Sequence, residues 1–506
     1  MCGIAAALPA DDAFVAFALA RQQSRGPDDQ VAINLGFCCL GVNRLAISGL
    51  NGGDQPLQSS DGSVIVVFNG AIYNNIELIE QFALTPKSTN DGEVIHELYR
   101  KFGMAFADYL EGMFAICIAD LNRKELILAV DQVGIKPLYV CRTKGQLYCA
   151  SNIASFPAAL RMSVTRMPPD MVWSSSGQMS RIVHRTHKNG SVGELLWASV
   201  RQQIPREVGW GCMLSGGVDS ALITRLASEV SPDVTTFTCG TADSPDMASA
   251  RELADIVGST HHEIILNPEE LPSIVDEIVE ATASFEPWTV NAGVGAYLVA
   301  RTARSIGLKV LLTGEGADEL FGGYDEFQEV PDVFLNSMLL QYQVELGTTE
   351  CLRLDRGSMA QSIEARVPYL STSLMRHVRS LGPQEKIRRD GPVQIRKFAL
   401  REFAATVLPK HIAYREKAEF SHGSGLTLEL QRLAAQRVSI ADIADLRGSF
   451  PSFPIMDTMT AWYFSKWLAI FGMSMGHEWN EMVGRGLFRQ RLSRYLPIGT
   501  DSAVYA

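Results

Sequence analysis

Two domains of different class are predicted: an α+β N-terminal domain of two antiparallel sheets with helices, and an α/β C-terminal domain with a parallel sheet and a helical C-terminal part. Three observations predict them. Up to about residue 150 the chain carries short β-like runs separated by turns, with little helical periodicity. From about 190 strands and helices alternate, which indicates a parallel sheet covered on both faces. The length of 506 residues also exceeds one compact core, since domains run to about 100–200 residues.

In order, the β-like runs are "VAINLGFCCLGVNRLAI", "SVIVVFNG", "FAICIAD", "ELILAVD", "PLYVCR" and "QLYCAS". Helical spacing marks 11–23, 74–83 and 91–103. The polar, turn-rich stretch "SSSGQMSRIVHRTHKNGSVG" reads as a linker. Beyond it come a helix near 191–207, the strand "GWGCML", the helix "VDSALITRLASEV", the strand "VTTFTCG", the helix "ASARELADIVG" and the strand "HHEIIL". From about 330 onward the pattern is mostly helical, without repeats.

Composition narrows the function. With 46% hydrophobic and 20% charged residues the chain reads as a soluble globular protein. Its net charge of −11 and the lack of a basic stripe argue against nucleic acid as a partner. Nine cysteines without CxxC or metal-ligand spacing fit a reduced, cytoplasmic protein. The run "AFVAFALA" has no basic region before it and follows two aspartates, so no signal peptide is expected, and no run is long enough for a membrane span.

Three places carry chemistry. The chain begins "MCGIAAAL", and removal of Met1 would leave Cys2 with a free α-amine. That amine has a pKa of roughly 7.7–8, so thiol and candidate base would share one residue. In "MLSGGVDSALI", Gly216 and Gly217 lie between an apolar strand and a helix, where backbone N–H groups and the helix dipole favour an anion. Ser215 and Ser220 supply hydroxyls and Asp219 a carboxylate for magnesium, a cradle for pyrophosphate without Walker spacing. Behind glycines in "LLTGEGADELFGGY", Glu315 and Asp318 call for a compensating cation or substrate proton.

Together with "SRGPDD", "NRLAI", "FNGAIYN" and "EARVPYL", these motifs resemble glutamine-dependent asparagine synthetases and their relatives over nearly the whole chain. The resemblance implies an Ntn-type class II glutamine amidotransferase domain over 1–185 and an ATP-pyrophosphatase (PP-loop) synthetase domain over 190–506. It implies that Cys2 attacks the glutamine amide and that Asn69 and Gly70 form the oxyanion hole. Arg44, Asn69 and Asp91 would bind glutamine. Met213, Ser215, Gly216, Gly217, Asp219, Ser220, Thr313, Gly314 and Lys397 would bind ATP, with Asp219 and Asp318 on Mg2+. Glu315, Glu364 and Lys417 would serve the synthetase chemistry, Lys417 offsetting charge. The implied partners are glutamine, ATP and a carboxylic acid, and a homodimer is admitted. Ammonia would pass from Cys2 to Glu315 inside the protein.

Two departures stand out. Ala71 occupies the place of a carboxylate that would help hold the glutamine ammonium, which predicts weaker glutamine binding because Asp91 remains. In "FEPWTVNAGVGAYL", Trp288, Val290, Ala292 and Val294 make the acceptor region less polar than aspartate would require, and Ser371 stands where an Asp is usual. The expectation is therefore an ATP-dependent, glutamine-hydrolysing amide synthetase acting on aspartate or a related acid. Its rivals are an intramolecular, β-lactam-forming type of enzyme with a vestigial first domain, and a catalytically silent sensor.

Overall fold

The computed structural model describes residues 2–390, 393–415 and 423–473. The first half contains β1 (Gly3–Leu8), β2 (Asp29–Asn34), β3 (Cys39–Arg44), β4 (Leu57–Gln58), β5 (Val64–Ile72), β6 (Gly112–Asp120), β7 (Glu125–Val130), β8 (Tyr139–Thr143), β9 (Gln146–Ala150), β10 (Val164–Arg166), β11 (Met171–Ser174) and β12 (Met179–Arg181). They form two six-stranded sheets, ordered β10-β8-β9-β1-β3-β2 and β12-β11-β7-β6-β5-β4. Every pairing in them is antiparallel. The helices are α1 (Asp12–Arg21), α2 (Asn75–Phe82), α3 (Glu93–Phe102) and the single turn α4 (Ala158–Arg161).

Strand alternation explains why these strands are apolar throughout. In β1, Ile4 and Ala6 join the core between the sheets with Leu40, Val67, Ala115 and Leu128. Ala5 and Ala7 face the other way, onto Phe14, Val15 and Leu19 of α1. On the second sheet Val66, Phe68 and Ile116 pack beneath Val94, Ile95 and Leu98 of α3. A period of two with both faces covered gives a four-layer stack of helix, sheet, sheet and helix. The stretch expected as a linker instead begins as a hairpin, because "SSG" turns the chain between β11 and β12 and Gly177 takes φ +101°.

The second half opens with α5 (Val192–Gln203), started by a reciprocal cap between Ser191 and Glu194. The central strands are β13 (Trp210–Met213), β14 (Thr235–Gly240), β15 (Thr260–Ile265), β16 (Val310–Leu312) and β17 (Glu364–Arg366). Their order is β15-β14-β13-β16-β17 and all are parallel. Between them run α6 (Val218–Val230), α7 (Pro245–Val257), α8 (Leu271–Thr282), α9 (Pro287–Ser305), α10 (Ala317–Phe321), α11 (Asp332–Glu345) and α12 (Glu350–Met359). Strand order reverses at β13, whose neighbours β14 and β16 follow it on opposite sides. In open parallel sheets the crevice at the carboxyl ends beside such a reversal receives ligands. Helices at 426–437 and 458–471 pack on α8 and α9 around Phe285, Trp462 and Trp467, and the helix at 440–449 packs on the last of them.

The halves meet through a buried ionic knot. Arg25 of "SRGPDD" donates two hydrogen bonds to Asp355 on α12, at 2.9 and 3.2 Å, and its Nε donates to the Cys2 carbonyl at 3.2 Å. Lys136 adds a contact of 3.4 Å to Asp355. The loop holding Lys136 is wound around the Asp131 carboxylate, which accepts N–H bonds from Phe114, Val133, Ile135 and Lys136. Burial opposes ionisation of Asp355, but Arg25, Lys136 and Arg356 hold its carboxyl well below the usual range.

Candidate active sites

Cys2 directly precedes β1, an inner strand of the first sheet, and is buried. Its main-chain N–H donates to Asn69 Oδ1 at 3.1 Å, and Gln55 Nε2 lies 3.4 Å from its Sγ. Burial pushes the Cys2 thiol up, so activation of the thiol needs a base close by. Asn69 on β5 is fully buried, yet its Nδ2 has no hydrogen-bond partner. A buried amide donor is costly to leave unpaired, so Nδ2 has capacity for an acceptor beside Cys2. Gly70 takes φ +154°, and a Cβ there would lie 2.0 Å from the Met113 carbonyl oxygen, so no other residue fits.

Arg44 lies close enough to Cys2 to favour its thiolate, and Ser48 links Arg44 to Asp91. Arg44 pairs with Asp54 at 2.5 Å and donates to the carbonyls of Ser48 and Gly49 at 3.3 and 2.8 Å. Asp91 accepts from Ser48 Oγ and, at 2.5 Å, from the Ile72 N–H. Ala71 sits in an apolar cluster with Leu45, Ile47, Met113, Val133 and Ile135, and that cluster continues into the synthetase core.

The second site lies at the carboxyl ends of β13 and β16. After β13, Ser215 N–H and Oγ both bond to Ser220 Oγ, at 3.1 and 3.0 Å, and Gly216 takes φ +73°. Gly217 precedes α6 without a side-chain cap, which leaves the helix N-terminus open for an anion. Lys397 Nζ bridges Asp219 and Asp318 at 2.5 and 2.6 Å. Asp219 Oδ1 is buried without a hydrogen-bond partner, so this carboxylate has capacity for a cation. Among the described residues no group of three or more His, Cys, Asp or Glu gathers as a metal site. Two carboxylates facing a phosphate cradle suit Mg2+, which takes most of its ligands from phosphate and water.

One cavity joins these groups, lined by Met213, Ser215, Asp219, Gly314, Glu315 and Lys397 on one side and by Trp288, Ala292 and Arg353 on the other. Buried Glu286 accepts from the N–H groups of Trp288 and Thr289 and so starts α9, presenting Trp288 and Ala292 to the cavity. Val290 and Val294 lie on the opposite face, in the helical core, and have no part in the acceptor wall. Ser371 precedes the helix Thr372–Ser380 and is not among the cavity residues.

Burial pushes Glu315 up. Glu319 is pushed up to about 8, first by burial and then by Glu350 and Asp318. Tyr324 donates to Glu319 and, at 3.4 Å, to Glu350. Arg353 stacks its guanidinium 5.3 Å from the Trp288 ring centroid and has no hydrogen-bond partner for Nη1.

Most expected residues thus converge on two sites, with exceptions. Glu364 is buried outside the cavity lining, accepting from Arg366 Nε at 2.6 Å, because β17 carries it toward Lys136 and the first domain. Thr313 is buried below its loop and bonds to the Arg366 carbonyl. Lys417 lies outside the described residues. Sequence reading missed Glu319, Tyr324, Glu350 and Arg353. The first two stood in the quoted acidic loop, whereas Glu350 and Arg353 carry no local signal beyond their i, i+3 spacing. Gln55 and Ser48 were missed too.

Fold and sites together define a glutamine-dependent carbon–nitrogen ligase. A glutamine amidotransferase domain model matches residues 1–188, and the asparagine synthase model matches 191–334 and 331–450. The chain belongs to the asparagine synthase family. It is 30% identical to asparagine synthetase B [glutamine-hydrolyzing] of Escherichia coli (strain K12) over 459 residues, 84% of this chain and 82% of that one. It is 32% identical to asparagine synthetase [glutamine-hydrolyzing] 2 of Oryza sativa subsp. japonica, covering 84% of this chain and 78% of the relative.

Proposed function

We propose that this enzyme activates a carboxylic acid with ATP and Mg2+ as an acyl-adenylate and amidates it with ammonia released from glutamine at Cys2. The products are an amide, AMP and pyrophosphate, with glutamate left by water-driven release from Cys2. The observation that carries this reading is the unpaired Nδ2 of Asn69 beside Cys2, in the same chain as the Ser215–Ser220 cradle and the Asp219–Lys397–Asp318 bridge. In the first site the α-amine of Cys2 takes the thiol proton, Asn69 and the Gly70 N–H receive the oxyanion, and Arg44 and Asp91 hold glutamine by its charged ends. Asp219 and Asp318 would hold Mg2+, which would supply positive charge to offset the phosphates. Glu315 steers the incoming ammonia or takes its proton. The apolar cluster from Ala71 to Met113 and Val133 supports passage of neutral ammonia, since ammonium has no lone pair for attack.

The acceptor is an acid with a less polar body than aspartate: Trp288 and Ala292 wall the cavity, and the free Nη1 of Arg353 is available for an anionic group. The test is a panel of carboxylic acids with ATP, magnesium and glutamine, followed by pyrophosphate release and product mass. Turnover of an acid other than aspartate with a gain of one amide nitrogen supports the reading. Asparagine as the only product overturns the acceptor assignment, and loss of water without nitrogen gain identifies a cyclising enzyme. Cys2→Ala should abolish glutamine use and leave turnover with high ammonium, whereas loss of both refutes the division between sites.

A further inference from the structure

The segment 44–50 that holds glutamine's side of the first site is itself held by residues of the synthetase half. Glu207, between α5 and β13, accepts the N–H groups of Gly49 and Leu50 at 3.1 and 3.0 Å and the hydroxyl of Thr89 at 3.1 Å. Lys309, one residue before β16, donates to the Ala46 carbonyl at 3.0 Å and pairs with Asp28 at 2.6 Å, and Asp28 accepts the Ala46 N–H at 2.8 Å. The two anchors are tied to each other, because Lys309 N–H donates to the Gly209 carbonyl at 3.0 Å.

What they fix is specific. The carbonyls of Ser48 and Gly49 aim the Arg44 guanidinium, and the Ser48 hydroxyl holds Asp91. Thr89 lies two residues before Asp91, so Glu207 touches both segments that bear the glutamine-binding charges. At their other ends β13 leads into Ser215 and β16 into Thr313 and Glu315. With strands of four and three residues and about 3.3 Å of rise per residue, the strands lying between the anchors and the loops of the second site are only about 10–13 Å long. Strands inside a packed parallel sheet do not stretch, so they act as struts between the two sites.

We propose that Glu207 and Lys309 are positioning residues through which the synthetase domain sets the glutamine affinity of the amidotransferase domain. The inference rests on the glutamine reading given above. Neither side chain touches the reacting atoms. Each acts through the backbone of 44–50, and with the anchors removed the segment is free to leave the geometry that aims Arg44 and Asp91.

The test is steady-state kinetics of Glu207→Gln, Glu207→Ala and Lys309→Met, with glutamate release and ammonia-dependent amide formation measured separately. Charge-assisted hydrogen bonds to backbone N–H groups are each worth about a tenfold effect. The expected result is a glutamine KM raised about tenfold or more in Glu207→Ala and less in Glu207→Gln, which keeps one acceptor oxygen. Lys309→Met should raise it likewise. Ammonia-dependent kcat and the KM for ATP should stay within twofold of the parent. An unmoved glutamine KM in all three variants overturns the proposal, as does an equal fall in ammonia-dependent turnover, which would mark general damage. Should the parent enzyme release no glutamate from glutamine, the glutamine reading falls and this proposal with it.

Discussion

Replacement of Asn69 by Ala isolates the oxyanion hole. Asn69 acts with both ends of its amide: Oδ1 accepts the Cys2 N–H at 3.1 Å, and buried Nδ2 has no partner in the free enzyme. Removing one such donor generally costs about 2.7–4 kcal/mol of transition-state stabilisation, a factor of about 10²–10³ in kcat. Loss of the Oδ1 contact should cost only about 1 kcal/mol of stability, so the variant folds. Glutamate release would be measured without ATP, and amide formation with ammonium chloride in place of glutamine. Glutaminase kcat should fall about 10²–10³-fold while ammonia-dependent synthesis is unchanged. Asn69→Asp keeps the acceptor oxygen but lacks the donor and brings a negative charge to the oxyanion, so it should lose at least as much. A glutaminase kcat within about threefold of the parent, or a parallel loss with ammonia, would refute the assignment.

Asp355→Asn strips the buried cations Arg25 and Lys136 of their counter-charge, which should lower stability by about 3–5 kcal/mol, read from denaturant midpoints. A cost below about 1 kcal/mol would mean that water reaches the knot. Glu319 gives a pH dependence of opposite sign to the usual carboxylate. Its folded pKa of about 8 exceeds the ordinary 4.5, so the folded protein binds more protons between those values. The melting temperature of the ligand-free protein should therefore fall as pH rises from 5 to 8, and Glu319→Gln should flatten the slope. An identical slope in the variant would clear Glu319 of this role. Lys397→Met should leave Asp219 and Asp318 facing each other and reduce ATP-dependent pyrophosphate release about 100-fold, while glutaminase activity persists. Retained pyrophosphate release would place the nucleotide elsewhere.

The amino-acid sequence by itself determined what local pattern can encode. Alternating apolar strands and their turns marked the double sheet, and the strand–glycine–helix grammar of Met213–Ile223 marked the anion cradle. Cys2, Asn69, Arg44 and Asp91 were singled out through the resemblance of the motifs that hold them. Tertiary structure alone decided which faces those residues present. Helix α9 turns Trp288 and Ala292 to the cavity but Val290 and Val294 to the core, a rotation that residue types in a mostly apolar stretch cannot reveal. Strand β17 carries Glu364 toward the first domain although its motif resembles a synthetase element. Arg353, Glu350, Glu207 and Lys309 were silent because an isolated charged residue reads as solvated until another segment supplies its partner. Such pairings span 157 residues from Glu207 to Leu50 and 330 from Asp355 to Arg25. Their register follows from how the two domains pack, and no local propensity encodes that.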